Sequence, residues 1–158
     1  MSTRVSDTLV SRAIVVHAAW DTFEATVRGL VDQLVDAGAL PAALSDEAVR
    51  RIREREAIAS TAMVDIGVSI PHARLDGITG IVSALAVSPH AVYEVADGLP
   101  ISIVVLVLSS PKLTGEHLTF LSAASLLLQA EHLRQQLREA TSADEVLRLI
   151  RRNEDGRR

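Results

Sequence analysis

Apolar positions change period three times along this chain, and the order of the changes predicts its layers. The run "RAIVVHA" (12–18) is short and β-branched, which suits a first strand. In "WDTFEATVRGLVDQLVDAGAL" the residues Phe23, Val27, Leu30, Val31 and Leu34 then recur at helical spacing. Asp21 or Thr22 supplies the N-cap of that helix, and Gly38 is the permissive residue just past its end. Pro41 separates it from a second helix, "SDEAVRRIREREAIAS". Ser45, Asp46 and Glu47 suit the positive pole of its N-terminus, and most of its charge forms a solvated face.

From residue 63 the spacing becomes strand-like, in "MVDIGVSI", "GIVSALAV" and "PISIVVLVL". The last run is almost continuous in Ile, Val and Leu, so it is expected to be central and covered on both faces. Asp97-Gly98, between the second and third runs, is a turn signal for a locally antiparallel pair. Beyond "SSPKLTGEH" a helix is predicted with Leu118, Leu121 and Leu128 on its apolar stripe and Thr114 as its cap. Helical segments follow in "EHLRQQLREA" and "SADEVLRLIRR", and "NEDGRR" (153–158) reads as a frayed tail. Helices, strands and helices in that order predict a single α/β domain over 1–158, with a mixed central sheet flanked by helices.

Composition narrows what such a domain does. At 158 residues and 48% hydrophobic content there is material for one real core. A formal net charge of −4 offers no basic stripe for nucleic-acid phosphates. The absence of cysteine excludes a disulfide framework, a thiolate nucleophile and cysteine-ligated metals, and fits a cytoplasmic location. The strand-like run "IVVLVL" falls far short of the roughly 20 apolar residues needed to span a membrane. The first residues lack the continuous apolar region of a secretory signal and read as mature sequence.

Candidate chemistry lies with the histidines. Of His17, His72, His90, His117 and His132, none has metal-ligand spacing, so neither metal nor cofactor is expected. His132 reads as exposed on a helix, and His17 and His90 as residues at strand ends without polar company. His72 follows a proline where an apolar strand is expected to stop, and precedes Arg74. His117 follows the most apolar strand and a Pro-containing loop. If those strands are neighbours, the two rings meet at one end of the sheet.

The stretch "REAIASTAMVDIGVSIPHAR", with Arg55-Glu56, Ser60-Thr61 and Ile70-Pro71-His72-Ala73-Arg74, resembles the signature of type-2 IIA domains. These are the mannitol/fructose-type domains of the bacterial phosphoenolpyruvate-dependent sugar phosphotransferase system, a family with nitrogen-regulatory paralogues. The resemblance extends to "GEHLTFLSAASLLL" and covers about residues 10–150, although Ala62 stands where the family commonly has glycine. It implies that His72 accepts a phosphoryl group from phospho-HPr and passes it to a IIB component, and that contact with the membrane is indirect, through a IIC component. It also implies His117 as the second active-site histidine, Arg55 as the nearby cation with Arg74 the alternative, and Thr61 as a hydroxyl donor. An apolar docking rim with few carboxylates is expected around His72, from Ile70, Leu75 and Leu113. The alternative function is regulatory, through phosphorylation-dependent partner binding.

Overall fold

The computed structural model describes residues 4–156. Strand β1 (Leu9–Val15) leads to helix α1 (Phe23–Asp36), and a short turn of 3-10 helix precedes α2 (Ser45–Ile58). Three short strands come next, β2 (Ala62–Met63), β3 (Val68–Ser69) and β4 (His72–Arg74), and then the longer β5 (Ile81–Val87). A small ribbon of β6 (Tyr93–Glu94) and β7 (Pro100–Ile101) leads into β8 (Ile103–Ser109). Helices α3 (Thr114–Leu127), α4 (Glu131–Glu139) and α5 (Ala143–Asp155) complete the chain.

The main sheet runs β1-β5-β8-β3-β2, with β4 also paired to β8. As expected, β8 is central. All seven of its residues are buried, and it pairs antiparallel with β5 and parallel with β3 and β4. Its alternation divides the core in two. Ile103, Val105 and Val107 join the cluster under α3, α4 and α5, while Val104, Leu106 and Leu108 join the one under α1 and α2. Ala84 and Ala86 of β5 face the second cluster, and these small side chains leave room for Leu30, Val31 and Leu34 of α1. The mixed α/β sandwich follows from a strand that is apolar on both faces.

Local signals decide the joints. The Thr22 side chain accepts a hydrogen bond from the Ala25 amide at 3.0 Å, so Thr22, and not Asp21, caps α1. Gly38 past its end has φ 74°. Asp97 and Gly98 both take positive φ in the β6–β7 connection, as the turn signal required.

Four expectations are corrected. The run 63–70 is not one strand but the β2–β3 hairpin, reversed through a turn that Gly67 enters at φ 67°. The strand carrying His72 does not stop at Pro71: Val68 lies opposite Ile103 and His72 opposite Val107, so the register against β8 is the same on both sides of the proline. Pro71 interrupts the ladder only because it has no N–H, and its carbonyl still accepts from the Val107 amide. In α3, Leu118 points to solvent, and the buried face is His117, Phe120, Ala124 and Leu127, while Thr114 is its first residue and makes no side-chain cap. Finally, the end of the chain is anchored where fraying was expected. The Glu154 carboxylate accepts from the Val5 amide at 2.7 Å and the Ser6 hydroxyl at 2.6 Å; residues 157–158 of that segment lie outside the described residues.

Replacing Glu154 by alanine therefore strands the largely buried Ser6 hydroxyl and the Val5 amide. The expected loss is about 1–3 kcal/mol of stability, read as a lower denaturant midpoint. An unchanged midpoint would return this segment to the status of a loose tail.

Candidate functional site

The register of β4 fixes which side chains share a face. His72 and Arg74 lie opposite Val107 and Ser109, and they project to the α3 side of the sheet. Ala73 between them packs into the α1–α2 cluster. The hairpin strand β2 covers β3 but not β4, so His72 stands where the sheet edge has no further strand beside it. The C-terminal turns of α2 and the first turn of α3 close around that edge. Together they form an open cavity of about 540 Å³ lined by Arg51, Arg55, Ile58, His72, Arg74, His117 and the flanking Glu54, Ala73, Leu118 and Leu121.

The two imidazoles meet there, with ring centroids 5.5 Å apart and planes inclined at 57°. His117 arrives from the first turn of α3 and not from a strand exit. Each ring has one nitrogen held by the fold. His72 Nδ1 lies 2.7 Å from the Ile70 carbonyl oxygen. A carbonyl only accepts, so Nδ1 carries the proton and Nε2 of the neutral ring keeps its lone pair. Nδ1 of His117 is hydrogen-bonded to the hydroxyl of buried Ser109, the last residue of β8.

Both rings resist protonation. Burial is the main cause at His72; the Ile70 carbonyl and Glu56 oppose it, whereas the positive fields of Arg55 and Arg74 reinforce it. At His117 burial again leads, and Arg74, His72 and Arg55 add to it, taking its pKa down to about 4. Near neutral pH both imidazoles are uncharged and the positive charge of the site resides on arginines. Arg55 donates to the Ala59 carbonyl at 3.0 Å, capping the end of α2, and Arg74 donates to the Thr114 hydroxyl at 3.3 Å. Neither is in an ion pair among the described residues, whereas Arg51 is held by Glu47 at 2.9 Å.

None of the other expected residues lines the cavity. Thr61 does not line the cavity: its amide and hydroxyl both donate to the Glu56 carboxylate, at 2.8 and 2.9 Å, so it orders the α2–β2 connection. Ile70 (7% exposed) and Leu75 (1%) are core residues and cannot form a docking rim, because the β3–β4 strand turns them inward. Leu113 is half-buried in the loop before α3 and does not line the cavity. The apolar rim consists instead of Ile58 (83% exposed), Leu118 (58%) and partly buried Leu121. Ile58 ends a helix otherwise charged on its outer face, a signal the sequence carried, whereas Ser109 and Leu118 had none to separate them from ordinary strand and helix positions. His17, His90 and His132 are exposed, and none of them lines the cavity. Among the described residues no group of three or more His, Cys, Asp or Glu is arranged to hold a metal ion, and no helix is long and apolar enough to cross a membrane.

The site is thus a pair of imidazoles, one with its Nε2 lone pair free of the Ile70 contact, set beside arginines at the edge of a mixed sheet. The family model for the phosphoenolpyruvate-dependent sugar phosphotransferase system, EIIA 2, matches residues 8–153, and the chain belongs to that family. It is 33% identical over 126 residues to the PTS system fructose-specific EIIA component of Haloferax volcanii, covering 79% of this chain and 80% of that one. Among solved structures, nitrogen regulatory protein IIA-Ntr from Neisseria meningitidis superposes with TM-score 0.77 at 25% identity, covering 92% of this chain and 98% of the other. A structure of enzyme IIAMTL in complex with phosphorylated enzyme IIBMTL, from Escherichia coli, gives TM-score 0.70 at 22% identity over 90% of this chain and 96% of the other, a likeness of fold.

The depressed pKa values carry a stability consequence. A histidine that titrates at a lower pH folded than unfolded binds fewer protons when native, so stability rises with pH from about 4 to about 6.5 and is lost on acidification through that window. The wild type is expected to lose stability between pH 7 and pH 4.5 by more than His117→Gln does, measured as denaturant midpoints of both proteins at both pH values. Equal losses would mean that His117 titrates normally.

Proposed function

We propose that this chain is a phosphohistidine carrier that takes a phosphoryl group from phospho-HPr on Nε2 of His72 and passes it to a IIB component during sugar uptake, a transferase role exercised in the cytoplasm. The observation that carries the reading is the Ile70 carbonyl on His72 Nδ1, which leaves Nε2 as the nucleophilic atom beside the cavity.

Transfer is an in-line exchange between nucleophiles, and the step from phospho-HPr exchanges one imidazole nitrogen for another. The Nε2 lone pair forms a new N–P bond as the donor's N–P bond breaks, and that electron pair returns to the donor imidazole. The proton on His72 Nδ1 stays against the Ile70 carbonyl throughout. Its retention matters for the second transfer, because the group that then departs from phosphorus is a neutral imidazole and not an imidazolate. A serine ester would lack that lability. Arg55 and Arg74 supply the positive field for a group bearing about −1.5 to −2 charges, and His117 lies on the same face for a further contact. Since both imidazoles are neutral, the nucleophile remains available below the usual histidine pKa, near 6.5.

Docking follows from the rim. Ile58 and Leu118 are large, exposed and apolar on either side of the cavity, the composition expected where a protein partner excludes water from the transfer. A second reading, a regulatory module that binds partners in one phosphorylation state, is favoured by the likeness to IIA-Ntr. It uses the same acceptor atom and differs only in what binds the rim.

Incubation with phosphoenolpyruvate, Enzyme I and HPr should give an acid-labile phosphoryl adduct in the wild type and none in His72→Ala, read by intact mass. No adduct on the wild type, with HPr itself phosphorylated, would refute the carrier reading. Arg55→Ala and Arg74→Ala should each slow transfer roughly 10- to 100-fold, as loss of a charge-assisted hydrogen bond implies. Ile58→Glu and Leu118→Glu should weaken transfer from HPr, visible as a raised HPr concentration at half-maximal rate. If both leave it unchanged, the rim is not the docking surface.

A further inference from the structure

Ser109 is a chemically specific choice at the end of a strand that is otherwise Ile, Val and Leu. Its backbone is fixed on both sides, opposite Arg74 of β4 and Ile81 of β5, and its carbonyl accepts from the Leu75 amide at 2.9 Å. Strand alternation places its side chain on the α3 face with those of Val105 and Val107. There its hydroxyl meets Nδ1 of His117, itself only 4% exposed. The residue is fully buried, so the direction of this hydrogen bond has consequences for the ring.

We propose that Ser109 is a positioning residue that donates its hydroxyl proton to His117 Nδ1, and so holds His117 with its own proton on Nε2, the tautomer opposite to that of His72. Were the ring instead to donate from Nδ1, the Ser109 proton would be left without an acceptor in an apolar environment. Donation by Ser109 satisfies both groups. The neutral state of His117 near pH 7 means that it carries one ring proton, whose position is then set by Ser109.

The two histidines thereby acquire complementary roles. The Ile70 carbonyl leaves His72 with a lone pair directed at phosphorus, and the Ser109 hydroxyl leaves His117 with an N–H to donate to a phosphoryl oxygen. One fold sets two identical side chains to opposite polarity with one acceptor and one donor. A pair with the same tautomer would present two lone pairs to an anion, which repel its oxygens, or two N–H groups, which leave no nucleophile. This division of labour rests on the carrier reading above, although the tautomers themselves do not.

The test is long-range ¹H–¹⁵N correlation of the imidazoles near neutral pH in the wild type, Ser109→Ala and Ser109→Thr, paired with the rate of phosphoryl transfer from HPr. The wild type is expected to show His72 protonated on Nδ1 and His117 on Nε2. Ser109→Ala should mix the His117 tautomers, leave those of His72 unchanged and slow transfer about tenfold, and Ser109→Thr should restore both. A wild-type His117 protonated on Nδ1, or a Ser109→Ala protein with unchanged tautomer and rate, overturns the proposal. Should the alanine variant fail to fold, the wild-type tautomer still decides. Because that measurement needs no donor, a wild type that never accepts a phosphoryl group would refute the carrier reading without touching the assignment at Ser109.

Discussion

Everything in this fold is arranged around the need to cover β8 on both faces and both edges. Seven consecutive buried residues cannot lie at a surface, so helices must pack above and below and strands must pair on either side. β5 satisfies one edge completely. The other is satisfied in two pieces, β3 and β4, because a proline falls between them. That division leaves the His72 end of the sheet thinly covered: the hairpin strand stops beside β3, and β4 faces the helices without a further strand next to it.

The site exploits this shortfall. Continuous pairing with β8 makes β4 rigid in position, and the missing neighbour makes its side chains reachable. The same strand also brings Ser109 beneath α3, so the second histidine is held by the element that holds the first. Electrostatics then separates the duties of the residues. Burial and the nearby arginines keep both imidazoles neutral, and in the carrier reading proposed above the arginines carry the attraction for the phosphoryl group. In that reading, the histidine proposed as nucleophile is relieved of acting as a cation.

Much of this was legible in the sequence. The apolar run of β8, the helical spacing in α1, Gly38 past its end and the Asp97-Gly98 turn are local features with local causes, and they survive in the structure. The IIA-type motif is likewise a linear pattern. Other readings failed because they needed distances. Ile70 and Leu75 are apolar residues flanking a motif, and only the strand geometry shows that both are turned into the core. Leu118 fits a helical stripe, yet the face α3 presents to the sheet is set by His117 and Phe120. Acidic Glu154 near a charged terminus reads as solvated until the N-terminal segment is seen against it.

The sequence by itself determined that the chain is one layered α/β domain with a fully covered strand and an Ile-Pro-His-Ala-Arg segment, because periodicity and proline chemistry act over a few residues. Tertiary structure alone decided that His72 and His117 lie 5.5 Å apart and that one ring is held by a carbonyl and the other by a hydroxyl. The physical reason is that a tautomer depends on which group occupies the space beside one nitrogen. For His117 that group comes from another strand, brought there by sheet register.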